Sequence, residues 1–195
     1  QIESAGNARV DRALQRLGET AIQRGSAAQV LANAGGKTVA EDGAWSPNRP
    51  TSVATPMTSA ALLSRITTSG GTNEVGEVQI IKHSGVAGSA ASSAWTVVVR
   101  GTRAWVPGSK NPQDMQSNLE TVGRAPSDQK TSVEIAMKMA QIQPGEPVEF
   151  VGHSQGGAIA LDLATDPWVN GHYNVVSVLT AGSPTGGFTP PDTVS

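Results

Sequence analysis

Residues 148–163 read Val-Glu-Phe-Val-Gly-His-Ser-Gln-Gly-Gly-Ala-Ile-Ala-Leu-Asp-Leu, and this stretch decides the fold. It opens with a short apolar run of the length of a buried strand, and it closes with small and apolar residues that favour a helix. Between the two lies the pentapeptide Gly-His-Ser-Gln-Gly at 152–156, which fits the pattern G-x-S-x-G. A strand, this pentapeptide and a helix in that order predict a nucleophile elbow, a sharp turn that lifts the hydroxyl of Ser154 clear of the sheet.

The residue types around Ser154 suit a reacting serine. Gly152 and Gly156 flank it, where we expect a Cβ to collide with the neighbouring strand and helix, and Gly157 allows the helix to pack close to the sheet. The helix N-terminus behind Ser154 would point free N–H groups at a developing oxyanion. We therefore predict that Ser154 is a nucleophile. The alternative is that Ser154 only caps the helix.

The rest of the chain predicts an α/β protein. Hydrophobic patterns indicate strands at 77–83, 94–99 and 174–180, helices at 57–66, 111–119 and 127–142, and a loop at 166–171. The first two strands are expected to pair as an antiparallel hairpin. The alternation of strands and helices after residue 95 predicts a mostly parallel sheet with helices on both faces. We divide the chain into an N-terminal part, residues 1–56, with a predicted helical arm over 1–34 and a linker over 35–56, and a core, residues 57–195.

Composition excludes several classes of protein. The 195 residues carry a net charge of −2 and no basic stripe with interleaved aromatic residues, so nucleic acid is not expected as a partner. The chain has no cysteine, which excludes disulfides and thiol chemistry. No apolar run reaches the length of a transmembrane helix. The N-terminal arm is expected either to pack on the core or to offer a surface to another protein.

An acyl-transfer serine needs two N–H donors directed at the oxyanion. The backbone N–H of Gln155 is the first candidate, because it follows the nucleophile. The second donor should come from the loop after the neighbouring strand, where Arg100-Gly-Thr102 stands. Thr102 is therefore predicted to donate its N–H, and Arg100 is expected to be structural. The alternative is that these residues form a simple turn at the end of the strand.

Three motifs that follow successive strands resemble those of a known family. They are Val-Arg-Gly-Thr at 99–102, Gly-His-Ser-Gln-Gly-Gly at 152–157 and Thr-Ala-Gly-Ser-Pro at 180–184. Together they resemble lipase-like α/β-hydrolases, especially the class 3 lipase type, and are similar to lipase-like proteins of actinobacteria. The resemblance covers about residues 74–190. It implies a serine esterase or lipase with a Ser-Asp-His triad, an oxyanion donor at Thr102 and no cofactor.

The acid and the base of such a triad are not evident in the sequence. They should follow the serine in the order acid, then His, on loops after later strands. Only His172 follows Ser154, and it precedes the strand at 174–180, so a pair of Asp166 and His172 fits the order and not the geometry. Asp192 is the remaining candidate acid.

The two earlier histidines are also poor candidates for the base. His83 is expected at the far end of the sheet, and His153 is expected to pack between strand and helix. We therefore expect the acid and the base to lie beyond Ser195, in which case the hydrolase-like core is incomplete at its C-terminus and is complemented by a further segment or a partner chain.

The sequence thus predicts a serine hydrolase that cleaves carboxylic esters of a small-molecule or lipid substrate through an acyl-enzyme on Ser154. A thioesterase, an acyltransferase or a peptidase could use the same elbow. A hydrolase-like binding module without catalysis is a further alternative, because no well-placed triad His is present. A nucleotide-binding protein is disfavoured, because the chain has no phosphate-loop pattern.

Overall fold

The computed structural model describes residues 38–39, 43–44, 51–52, 59–60, 63–64, 78–84, 93–109 and 111–195. The predicted helix over 1–34 lies outside the described residues. Within the predicted linker the structure has three two-residue strands, β1 (Thr38–Val39), β2 (Gly43–Ala44) and β3 (Thr51–Ser52). Residues 59–60 and 63–64 are helical and fall inside the helix predicted at 57–66.

The described residues form an α/β fold around a mixed sheet. Its four long strands are β4 (Val78–Ser84), β5 (Ser93–Val99), β6 (Pro147–His153) and β7 (Asn174–Ala181). The order across the sheet is β1-β4-β5-β6-β7, and β2 and β3 form a separate antiparallel pair. Strands β4 and β5 are antiparallel, and every other neighbouring pair of the larger sheet is parallel. This confirms both the predicted hairpin and the mostly parallel sheet.

Four helices connect these strands: α1 (Met115–Val122), α2 (Asp128–Met139), α3 (Gln155–Thr165) and α4 (Pro167–His172). Helix α1 begins later than predicted, because the side chain of Asp114 accepts a hydrogen bond from the N–H of Ser117 and caps the helix there. Ser127 caps α2, because its side chain accepts a hydrogen bond from the N–H of Lys130.

The predicted loop at 166–171 is wrong, because these residues form most of α4. The Asp166 side chain accepts hydrogen bonds from the amides of Trp168 and Val169. Pro167, in the first turn, has its φ already in the helical range. The Asp166 cap and Pro167 together allow a six-residue helix where the sequence had indicated a loop.

The core lies mainly on one face of the sheet. Side chains alternate along each strand, so that Val97 and Phe150 face a large cluster while Val98 and Val151 face the other side. Buried residues of α2, α3 and α4 complete the large cluster, among them Met137, Ile159, Leu163 and Val169. On the opposite face the helical residue Leu63 packs against the smaller cluster.

Three strands end at the same edge of the sheet, which we call the carboxyl edge. Val99 at the end of β5 lies opposite Gly152, and His153 at the end of β6 lies opposite Ala181. Because these strands are parallel, the segments that follow them emerge side by side. The carboxyl edge therefore brings together the three motifs that the sequence singled out.

Candidate active site

Ser154 has a strained backbone at the carboxyl edge. It lies between β6 and α3 with φ 55° and ψ −127°, a combination that side chains other than glycine rarely adopt. Its N–H donates to the carbonyl of Ala181 over 3.0 Å, and its carbonyl accepts from the N–H of Gly157 over 3.1 Å. The side chain makes no capping hydrogen bond, so Ser154 is not the side-chain cap of α3. The conformation is that of the predicted elbow.

Close packing of backbone on backbone explains the glycines of the elbow. A Cβ on Gly152 would meet the backbone of Gly156, and a Cβ on Gly156 would overlap the carbonyl oxygens of Val99 and Arg100. Strand β6, helix α3 and the segment after β5 are therefore in direct backbone contact. This is the collision that the sequence predicted for a larger residue at either position.

The segment after β7 also packs against the elbow. A Cβ on Gly157 would overlap the side chain of Ser183, whose hydroxyl donates to the carbonyl of Ala181 over 3.2 Å. The motif at 180–184 therefore contacts the N-terminus of α3.

The segment Arg100-Gly-Thr102 lies against Ser154. A Cβ built on Gly101 would lie 3.2 Å from the Cβ of Ser154. The hydroxyl of Thr102 donates to Oε1 of Gln155 over 2.7 Å. The structure thus brings together the serine and both residues predicted to donate to the oxyanion. In the described part of the chain, the hydrogen bonds of Thr102 and Gln155 to other segments use their side chains, and neither backbone N–H is taken by an acceptor there.

Two buried glutamine side chains hold the backbone around the segment 100–102 in place. Neither contact was predicted from the sequence. Gln155, which is 1% exposed, donates from Nε2 to the carbonyl of Asp114 over 3.1 Å. Gln129 of α2, also 1% exposed, donates from Nε2 to the carbonyl of Arg100 over 2.6 Å. Donors held in this way are preorganised, so they need no rearrangement when charge develops on a substrate. Contacts of these glutamines with distant residues leave no local sequence pattern. The cap at Asp114 is different, because an aspartate directly before a helix is a signal that the sequence does contain.

Carboxyl groups lie next to these supports. Burial, followed by the charges of Glu120 and Asp114, raises the pKa of Asp128 to about 7. Burial also raises the pKa of Glu120, although a hydrogen bond from Gln116 opposes the shift. Asp128 immediately precedes Gln129 in α2. A carboxyl group that changes charge near neutral pH is therefore next to the residue that holds the carbonyl of Arg100.

The pair of Asp166 and His172 lies away from the elbow, as the sequence predicted. Asp166 caps α4 and forms a 2.7 Å ion pair with Lys130. Burial alone would raise the pKa of Asp166, but the hydrogen bond and charge of Lys130 outweigh it and lower the pKa. His172 contacts the carbonyl of Trp168 through Nδ1 over 2.8 Å, next to the start of β7. A seven-residue strand separates that edge from Ser154 by roughly 20 Å.

Asp192 does not reach Ser154 either. Its neighbours Pro191 and Thr193 line a cleft of about 550 Å³ together with His172 and Asn174, at the edge of the sheet opposite the elbow. The predicted role of Asp192 as the triad acid therefore does not fit the structure. The physical reason is that the chain after β7 folds back along this strand, where the N–H of Ser195 donates to the carbonyl of Val176.

The position predicted for His83 is confirmed, whereas the position predicted for His153 is wrong. His83 pairs with Ala94 at the start of β5, at the far end of the sheet as predicted. His153 is exposed, and its ring lies between the loops after β5 and β7, within 4 Å of the Cβ positions of Gly101 and Gly182. The expectation that it packs between strand and helix is wrong, because it is the last residue of β6 and turns outward at the carboxyl edge.

Ser154 lies beside Gln155 and Thr102 in the described part of the chain, but no candidate base there contacts it. The hydroxyl of Ser154 forms no hydrogen bond to an imidazole or carboxylate among them. In the same part of the chain, no group of three or more His, Asp or Glu residues could hold a metal ion. No helix there is long and apolar enough to cross a membrane.

Comparison with known proteins leaves the family open. No protein-family model matches the chain, and no curated protein and no solved structure matches it. The function of the protein is therefore inferred from the geometry of the elbow.

Proposed function

We propose that this protein is a serine hydrolase of the esterase or lipase type that cleaves carboxylic esters through an acyl-enzyme on Ser154. The observation that carries the proposal is the backbone of Ser154, with φ 55° and ψ −127° between a strand and a helix. Strain of this kind is usually found where function requires it. Here the strained residue is a serine that lies next to Gln155 and against Gly101, the residue before Thr102.

The chemistry follows from this arrangement. The Oγ of Ser154 attacks the ester carbonyl carbon, and the carbonyl oxygen becomes an oxyanion that the amides of Gln155 and Thr102 stabilise. The C–O bond to the alcohol then breaks, and the alcohol leaves with a proton to give the acyl-enzyme. Water hydrolyses this ester and restores Ser154. A general base must remove the proton of Ser154, because an unaided hydroxyl is a weak nucleophile.

The test is covalent labelling of the protein with a fluorophosphonate, followed by intact mass and peptide mapping. Because no described imidazole or carboxylate forms a hydrogen bond to the hydroxyl of Ser154, we expect the 20.0 kDa chain to react slowly with the probe and to gain one phosphonyl group on Ser154 with loss of fluoride. The Ser154→Ala variant is the control and should gain none. An unmodified wild-type protein, shown to be folded by circular dichroism, would contradict the proposal.

The same elbow would also serve a thioesterase, an acyltransferase or a peptidase. Parallel assays with matched ester, thioester and amide substrates, and with an added acceptor alcohol, would separate these activities from ester hydrolysis. The esterase proposal expects the ester to be turned over fastest.

A binding module without catalysis is the second candidate. The observation that favours it is that no described imidazole or carboxylate contacts the hydroxyl of Ser154. If a folded protein bound an ester or acyl ligand but neither reacted with the fluorophosphonate nor hydrolysed any ester, this candidate would replace the first.

A further inference from the structure

Two large apolar side chains project into solvent close to the elbow. Trp105 is 71% exposed and Val106 is 70% exposed, whereas the other large exposed apolar residues among those described are at most 40% exposed. Pro107 follows them and is also exposed. We call residues 105–107 the apolar tip. Exposure of adjacent large apolar groups is unfavourable in water and marks a contact site more often than a stable free surface.

The segment that carries the tip is anchored at its base. The amides of Arg103 and Ala104 both donate to the carbonyl of Gln113, over 2.7 and 3.1 Å. The amide of Met115 donates in turn to the carbonyl of Ala104 over 3.0 Å. The amide of Ser109 donates to Oδ2 of Asp114 over 2.9 Å. These bonds fix both ends of the loop, so the tip is presented by ordered backbone.

The anchored segment is continuous with the proposed oxyanion site. Thr102, whose hydroxyl is bonded to Gln155, precedes Trp105 by three residues. Three residues of chain span at most about 11 Å. Asp114, which bonds the far end of the loop, accepts a hydrogen bond from Gln155 through its carbonyl. The tip therefore stands at the same edge of the sheet as Ser154.

The size and charge of the tip fit a lipid surface better than a protein partner. A tryptophan and a valine bury on the order of 300–400 Å², less than the ~800 Å² per partner of a stable protein interface. Tryptophan is a preferred residue at the boundary between lipid and water. By sequence, residues 102–114 carry two basic residues, Arg103 and Lys110, and one acidic residue, Asp114, whose carboxylate accepts hydrogen bonds from the amides of Ser109 and Ser117. A basic segment around an apolar tip is complementary to anionic lipid headgroups.

We propose that the apolar tip docks this protein on an anionic lipid surface and thereby places Ser154 next to ester substrates held in that surface. Docking is a property of the tip alone. Only the statement about substrates rests on the proposed hydrolase function.

The test is cosedimentation of the full chain with sucrose-loaded vesicles, made either of phosphatidylcholine alone or of equal parts of phosphatidylcholine and phosphatidylglycerol. We expect binding to the mixed vesicles, weaker binding to phosphatidylcholine, and loss of binding in 1 M salt. The double variant Trp105→Ala/Val106→Ser should bind the mixed vesicles at least about tenfold more weakly, because it removes the apolar contact. Both residues are exposed, so the variant should remain folded, and circular dichroism checks this.

A matched control is the variant Trp168→Ala. Trp168 is 40% exposed and stacks on His172 at the opposite edge of the sheet, so its loss should leave vesicle binding unchanged. No binding by the wild-type protein, equal binding to both vesicle types, or equal loss in the Trp168 variant would each overturn the proposal.

A second control separates docking from catalysis. The Ser154→Ala variant should bind the mixed vesicles as the wild type does, although it cannot form the fluorophosphonate adduct. Vesicle binding together with a failed labelling experiment would keep the docking surface and reject the hydrolase. Labelling without vesicle binding would do the reverse.

Discussion

At the scale of single residues, Ser154 holds a conformation that a serine adopts at a cost. Its positive φ with ψ near −127° suits glycine, which has no Cβ to clash with the neighbouring carbonyl. A strained residue of this kind costs about 1–3 kcal/mol, and the surrounding fold must supply that free energy. The amide of Ser154 bonded to Ala181 and the three neighbouring glycines hold the turn in place. A serine at this position is therefore less favourable for stability than a glycine would be.

Replacement of Ser154 by glycine should stabilise the protein. We expect the free energy of unfolding to rise by about 1 kcal/mol, because relief of strain exceeds the extra backbone entropy of glycine in the unfolded chain. The Ser154→Ala variant keeps the strain and serves as the matched control. Chemical denaturation of both variants measures the difference. A glycine variant no more stable than the alanine variant would show that the turn is not strained.

The hydroxyl of Thr102 should be required for a well-formed oxyanion site. In Thr102→Val the shape is kept, but the buried Oε1 of Gln155 loses its donor, which costs about 1–3 kcal/mol. If the proposed function holds, ester hydrolysis should slow by about 10²-fold as the N–H of residue 102 loses its position. Thr102→Ser retains the hydroxyl and should restore most of the rate. Equal rates in the valine and serine variants would argue against this role.

At the scale of elements, the elbow depends on the close approach of β6, α3 and the segment after β5. Gly156 permits this approach, because a Cβ there would enter the space of two carbonyl oxygens. Gly171 in α4 offers a contrast in the same protein, since no heavy atom lies within 4 Å of its Cβ position. Close packing therefore requires a glycine at position 156 and does not require one at position 171.

Alanine substitution should separate these two glycines. Gly156→Ala should lower the free energy of unfolding by about 3 kcal/mol or more, because backbone must move to admit the methyl group. Gly171→Ala should raise it by about 0.5–1 kcal/mol, through the better helix propensity of alanine. Thermal or urea unfolding of both variants checks the prediction. A tolerated Gly156→Ala would mean that the approach is looser than the structure indicates.

Some elements were readable from the sequence, and others were not. The strands β5, β6 and β7 have continuous apolar runs, and residues 127–142 have a helical pattern, so these strands and helix α2 were predicted correctly. Helix α4 was missed, because its six residues are too few to show helical periodicity. Its formation depends on Asp166 serving both as cap and as ion-pair partner of Lys130, a contact between residues 36 positions apart.

At the scale of the whole molecule, partly buried carboxyl groups on α1 and α2 make stability depend on pH. The pKa of Asp128 is about 7 in the folded protein, through burial and the charges of Glu120 and Asp114, against a usual aspartate value of 3.8. A raised pKa means that the folded state binds the proton more tightly than the unfolded state. The resulting stabilisation is fully present below about pH 4 and is lost as the pH rises through about 7.

We therefore expect the melting temperature to fall between pH 5 and pH 8, and Asp128→Asn to flatten this fall. A residual slope should remain from Glu120, whose pKa is also raised. Asp192→Asn, at an exposed position, is the matched control and should leave the slope unchanged. Melting curves across this pH range provide the measurement. An unchanged slope in Asp128→Asn would assign the effect to other groups.

The sequence by itself determined the elbow. Residues 148–163 contain the strand, the glycines and the helix that the turn needs, all local in the chain, and the parallel sheet follows from the order of strands and helices. Only the tertiary structure decided which distant groups meet there. It joined the side chains of Thr102 and Gln155, fixed the carbonyl of Arg100 through Gln129, and took Asp192 to the opposite edge, because side-chain contacts between distant segments and the return path of the chain after β7 leave no local pattern.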